Sequence, residues 1–128
     1  MKTEKKKLLK DIEGLCKQII YIRDKGVCQK CGKPVSGQNA HTSHVIPKSH
    51  GLALRFDHTN LKLLCFHCHM NWWHKNPIEA GEWFKEKFPD RWQYLQRRKN
   101  DIVKISVDDY RGMKNAMTKY LKELKEVK

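Results

Sequence analysis

No run of roughly eighteen apolar residues occurs in this 128-residue chain, which excludes a membrane-spanning helix of ordinary length. No apolar core follows the basic start Met1-Lys2-Thr3-Glu4-Lys5-Lys6-Lys7, so that start does not read as a secretory signal, and the expected location is cytoplasmic. Low-complexity sequence is confined to the same lysine-rich start. Acidic residues are scarce, with 14 Asp and Glu against 27 Lys and Arg, a formal net charge of +13. Such an excess points to a polyanionic partner, nucleic acid being the commonest, although solvated surface lysines alone could account for it. An anionic membrane surface fits less well, because no helix pairs a basic face with a lipid-facing aromatic stripe. Hydrophobic residues at 39% and charged residues at 32% exclude wholesale disorder. The length suits one domain with a modest core.

Five cysteines are present, and four form two identical pairs, Cys28-Gln-Lys-Cys31 and Cys65-Phe-His-Cys68. In a chain without a secretory signal this reads as a metal site rather than a disulfide frame. Four thiolates at that spacing suit tetrahedral zinc, and a glycine after the turn, as in Cys31-Gly32, helps two sulfurs converge on one ion. One redox-active pair is the rival reading, against which the second pair argues. Cys16 is left over on an apolar helical stripe and reads as an inert buried thiol.

The chain is expected to form a single domain in three parts, 1–26, 27–76 and 77–128. In the first part Leu8, Ile12, Leu15, Ile19 and Ile22 recur at helical spacing, and Gly26 is a natural stop. The middle part holds both cysteine pairs and all seven histidines. The last part is helical again. Pro77 opens one helix, Pro89 breaks it and starts a second, and Ser106 with Asp109 forms an approximate capping box for a third.

Within the middle part, residues 40–47 read as a short strand ended by Pro47, and residues 60–65 alternate like a second. The second cysteine pair then opens a helix through His69-Met70-Asn71-Trp72-Trp73-His74. The order is knuckle, strand, loop, strand, knuckle, helix, a unit too small to hold a rigid site by core packing alone.

His44-Val45-Ile46-Pro47, then Asn60, then His69 directly after Cys68, resembles the His-Asn-His signature of the HNH, or ββα-metal, nucleases, whose treble-clef branch carries the same four cysteines. The stretches Ser43–Ser49, Leu54–Asn60, Trp83–Phe88 and the segment from Ile105 resemble the phage NinG or Rap-type recombination endonucleases, over roughly residues 27–125. The resemblance implies an α+β fold, a small zinc-stapled ββα-metal core with flanking α-helices. It also implies a metal-dependent DNA endonuclease acting on branched or nicked recombination intermediates, in the cytoplasm of a bacterial host if phage-encoded. Linear-duplex cutting, as by homing or restriction enzymes, is the alternative within that class.

Carried over residue by residue, His44 takes the place of the general base. Asn60 takes that of the residue that orients the imidazole or braces the hairpin, and His69 that of the catalytic-metal ligand. Hydrolysis of a phosphodiester needs an activated water, charge neutralisation on the phosphate and help for the leaving oxygen. A neutral imidazole suits the first of these near pH 7. The ion expected is Mg²⁺ or Mn²⁺, with Ni²⁺ or Zn²⁺ favoured by imidazole ligation. Many HNH enzymes carry Asp or His before the base. Here Ser43, a poor ligand, stands there. His41, two residues earlier, is the candidate second ligand if a bulge turns it inward, and Asp57 and His74 are further candidates.

Contacts to DNA are expected from Lys30, Lys33, Lys48, Arg55 and Lys62, and one of Trp72 and Trp73, with Trp72 preferred, is expected to stack on a base or sugar. His50 and His58 read as loop residues and His67 as a knuckle side chain. Two other classes remain open, a non-catalytic zinc-knuckle module that binds nucleic acid and a protein-interaction knuckle. Oligomeric state is open, a dimer included.

Overall fold

The computed structural model describes residues 2–127. Helix α1 (Lys2–Arg23) buries Leu8, Ile12, Cys16, Ile19 and Ile20, one stripe at helical spacing. It ends in a tight hydrogen-bonded turn, Lys25 N–H to the Ile22 carbonyl at 3.1 Å and Gly26 N–H to the Tyr21 carbonyl at 2.9 Å. Lys25 and Gly26 are both left-handed, φ 58° and 66°. Position 26 needs glycine twice over, since a Cβ there would stand 3.0 Å from the Tyr21 hydroxyl, which itself donates to the Val35 carbonyl at 2.7 Å.

Strands β1 (His41–His44) and β2 (Leu61–Leu64) form one antiparallel pair in which His41 faces Leu64 and Ser43 faces Lys62. They are shorter than the expected 40–47 and 60–65. All four residues of β2 are buried, because apolar groups cover both faces of the strand. The chain then enters the helix expected after the second cysteine pair, which is a π-helix, His67–Trp73. Helices α2 (Pro77–Lys87) and α3 (Pro89–Arg98) both begin at their prolines. Helix α4 (Val107–Glu126) opens on a full capping box between Ser106 and Asp109, a pattern that satisfies two otherwise orphan N–H groups.

Two apolar clusters result. The larger joins α1, β2, the knuckle cysteines, Phe56 and Tyr110. The smaller gathers Val45, Leu54, Phe84 and Leu95. Trp73 packs against both, so the π-helix bridges them. Cys16 lies in the larger cluster, where burial pushes its thiol up to about 12, as an inert thiol requires. The mixed helices and two-stranded sheet, with four clustered cysteines, make a small α+β fold of the ββα-metal kind. Among the described residues no helix is long and apolar enough to cross a membrane.

Candidate metal centre and cleft

The sulfurs of Cys28, Cys31, Cys65 and Cys68 lie within 4.8 Å of one another. The Cys31 and Cys65 sulfurs are 3.9 Å apart, against about 3.8 Å for two corners of a tetrahedron with Zn–S near 2.3 Å. The thiols also need a cation. Burial alone would raise Cys28, but backbone N–H donors at Cys31, Cys65 and Lys30 bring it down to about 7. Burial and the Cys65 and Cys28 sulfurs push Cys68 up. A divalent ion allows four thiolates, so the residues fit a zinc-type site.

The second knuckle leads straight into the histidines. His69 N–H donates to the Cys65 carbonyl at 2.9 Å, so the cysteine staple sets where His69 stands. His74 N–H reaches back five residues to the His69 carbonyl at 3.2 Å. In an α-helix residues five apart diverge by about 140°. The wider π turn brings them onto one side, and π turns recur at functional sites. The result is a contact of 3.0 Å between the Nε2 atoms of His69 and His74.

His41 meets the same ring at its other nitrogen, with Nδ1 2.9 Å from His69 Nδ1. His41 Nε2 is 3.0 Å from the Gln38 carbonyl. A carbonyl only accepts, so Nε2 carries the proton and the neutral ring offers its Nδ1 lone pair to His69 Nδ1–H. His69 Nε2 is thereby left as a lone pair facing His74. Burial first, then the His74 and His41 rings and Lys62, hold His69 down to about 4. No bulge interrupts the β1–β2 register. His41 reaches His69 by length and direction, not by a kink. As placed, His41 and His74 use opposite nitrogens of His69 and do not converge on one point.

His44 ends β1. Its Nε2 donates to the Arg55 carbonyl at 3.0 Å, which leaves Nδ1 with the lone pair. Burial lowers its pKa below the ordinary 6.5; the Arg55 carbonyl opposes that, and Lys48 and Lys62 add to it. His41, His44, His69 and His74 line one cleft of about 740 Å³, together with Lys48 and Arg55.

Other expected site residues lie elsewhere. Asn60 is fully buried and does not touch the His44 ring. It accepts from Ile46 N–H at 2.7 Å and donates to the carbonyls of Ile46 and Leu54 at 2.9 and 3.0 Å, bracing the loop between the strands. Lys62, expected on phosphate, is 0% exposed. That expectation is corrected: its ammonium donates to Ser43 Oγ at 3.0 Å and sits 3.2 Å from the Trp73 ring centre, because the π-helix covers that face of β2. Ser43 is thus turned inward and does not line the cleft. Asp57 is occupied by Thr59 N–H and the Tyr94 hydroxyl. Lys30 and Lys33 are exposed on the first knuckle but do not line the cleft. Trp72 is half-buried, edge-on to Trp83 at 5.3 Å. The sequence reading missed Arg23 and Arg91, which donate to carbonyls of residues 58–61. It also missed that α1 lends Glu13 and Lys17 to the cleft wall. Neither carries a local motif.

A family model for HNH endonuclease matches residues 28–71, from the first knuckle cysteine to two residues past His69, and supports membership of the HNH family for this segment. No curated protein and no solved structure matches the chain.

Proposed function

We propose that this protein is a metal-dependent endonuclease that hydrolyses DNA phosphodiester bonds, with His44 as general base. The observation that carries the reading is the geometry of His44. Its Nε2–H is tied to the Arg55 carbonyl and its Nδ1 lone pair is free in a basic cleft shared with His69. An imidazole oriented in this way and favoured in its neutral form by burial can take a proton from water near pH 7.

His69 and His74 would hold a divalent ion through Nε2. Their 3.0 Å separation is close to the roughly 3.0 Å expected for two nitrogens at right angles about 2.1 Å from one ion. When bound, the ion supplies charge neutralisation at the scissile phosphate and the leaving oxygen. His41 then serves as the partner that orients His69 through Nδ1, the role an outer hydrogen bond commonly plays for a ligating histidine. Mg²⁺ or Mn²⁺ is the expected ion, with Ni²⁺ or Zn²⁺ compatible with imidazole nitrogen. Lys48 and Arg55 flank the cleft as phosphate contacts.

The likeness to NinG and Rap-type sequences favours branched or nicked recombination intermediates as substrate and a phage origin. A strand-break assay on supercoiled, linear and branched DNA, with and without Mg²⁺ or Mn²⁺, tests this. Metal-dependent cleavage is expected, and His44→Ala should slow it by about two to four powers of ten with little change in DNA affinity, which rests mainly on phosphate contacts. No cleavage by the wild type on any substrate would leave a zinc-knuckle binding module. Equal single-turnover rates for wild type and His44→Ala would remove His44 as base.

A further inference from the structure

The family match begins at residue 28, so α1 lies wholly outside it. Yet α1 lends Glu13 and Lys17 to the wall of the cleft that holds His44 and His69. A second groove of about 430 Å³ adjoins that cleft along the same helix. It is lined by Lys6, Lys10 and Gly14, and it shares Glu13, Lys17 and Arg55 with the cleft. At about 100° per residue, Lys6, Lys10, Glu13 and Lys17 fall within an arc of roughly 60°. The three lysines are exposed.

The two flanks of α1 differ in how their charges are met. On the flank facing α4, acids answer bases: Glu4 pairs with Arg111, and Asp11 with Lys114 at 2.9 Å. On the groove flank the one acid is Glu13, 3.9 Å from Lys17. Among the described residues Lys6 and Lys10 form no salt bridge, and Arg55 Nε has no hydrogen-bond partner.

Gly14 is a second, independent sign. Glycine inside a helix weakens it relative to alanine, and no packing reason offsets that here, since a Cβ at position 14 would meet nothing within 4 Å. Nothing within the fold requires glycine at this point. Close passage of a ligand backbone over the helix would.

We infer that this flank of α1 is a DNA track: Lys6, Lys10 and Lys17 take phosphates of a duplex, and the strand passes Gly14 and Arg55 into the cleft of His44 and His69. This rests on the nuclease reading for what happens at the end of the track, but the binding itself stands apart from it. Lys6 to Lys17 spans about 16 Å of helix, roughly five base-pair rises of 3.4 Å along the duplex axis.

The test is binding of a short labelled duplex to the zinc-loaded full chain, without added Mg²⁺ or Mn²⁺, across a salt series. Lys6→Gln with Lys10→Gln should lower affinity and reduce the slope of log affinity against log salt by about 1.8, some 0.9 per lost phosphate contact. Lys119→Gln with Lys122→Gln, the same charge change on an exposed part of α4, should leave the slope as in wild type. Gly14→Gln should keep or raise helix content and melting temperature but bind more weakly. A wild-type slope in the Lys6 and Lys10 variant, or an equal loss in the α4 control, overturns the track, as does undiminished binding by Gly14→Gln. Tighter binding of duplex RNA with the same lysine dependence overturns DNA as its occupant. Wild-type protein that binds with this dependence but never cuts refutes the nuclease reading and keeps the track. A Lys6 and Lys10 variant that binds and cuts like wild type refutes the track alone.

Discussion

Cys68 and His69 are neighbours in the chain but belong to two clusters built on opposite terms. The sulfur cluster draws its four side chains from the first knuckle and from the entry into the π-helix, and all four sulfurs lie within 4.8 Å of one another, with three of the four cysteines buried. The imidazole cluster draws His41 from a strand, His69 from a π-helix and His74 from the residue that ends it. Its rings touch in pairs, at different nitrogens, on the wall of an open cleft. Closed four-ligand sites lend folding energy, whereas sites that act on a substrate keep positions open. The contrast suggests a division of labour in which the sulfur cluster fixes the backbone at Cys65–Cys68 and the imidazole cluster uses that fixed point to place His69.

Breaking the closed site should have the largest effect. Cys65→Ser should remove bound zinc and abolish cooperative thermal unfolding. Zinc binding by such clusters is worth on the order of 10 kcal/mol, comparable with the whole stability of a small domain. Elemental analysis together with a circular-dichroism melt checks this, and a zinc-free variant with a wild-type melt would dissolve the division.

The open site should fail by degrees while the fold stays. In calorimetric titration with Mn²⁺, His69→Ala should abolish binding and His74→Ala should remove most of it. His41→Ala should weaken it by about 10- to 100-fold, the usual worth of a hydrogen-bond partner to a ligand. Zinc content should stay at the wild-type level in all three. If His41→Ala is as damaging as His69→Ala while His74→Ala is silent, the assigned roles are reversed.

Asn60 probes the brace of the loop between the strands. Asn60→Ala leaves a buried N–H and two carbonyls without partners, a cost on the order of 3 kcal/mol, or roughly 10 °C in melting temperature. Zinc should be retained. A melt within a degree or two of wild type would show that the brace is not needed for stability.

The pH response should be the gentlest effect. Burial lowers His44 below 6.5, Lys48 and Lys62 push the same way, and the Arg55 carbonyl and Glu13 push back. The base acts when neutral, so the cleavage rate should rise with pH through a midpoint below 6.5 and then level off. A midpoint at or above 6.5 would mean that His44 is not desolvated as placed, or is not the titrating base.

Residue types and spacings in the sequence were enough for the zinc-type cysteine set, the helix starts at Pro77, Pro89 and Ser106, and the order of His44, Asn60 and His69. Each of those depends on chemistry within a few residues: the two-residue spacer between thiolates, a ring that pre-sets φ, a hydroxyl that caps a helix. Tertiary structure alone decided the rest. Lys62 looks like a surface cation until Trp73 covers it. His74 is off-face at α-helical spacing and joins His69 only because the turn is a π turn. Which nitrogen of His69 carries its proton follows from a carbonyl at Gln38, passed on through His41. The lysines of α1 border the cleft because the helix packs beside a strand that begins some twenty residues after its end. Burial, tautomer and the meeting of distant segments are properties of the packed chain, and no local pattern encodes them.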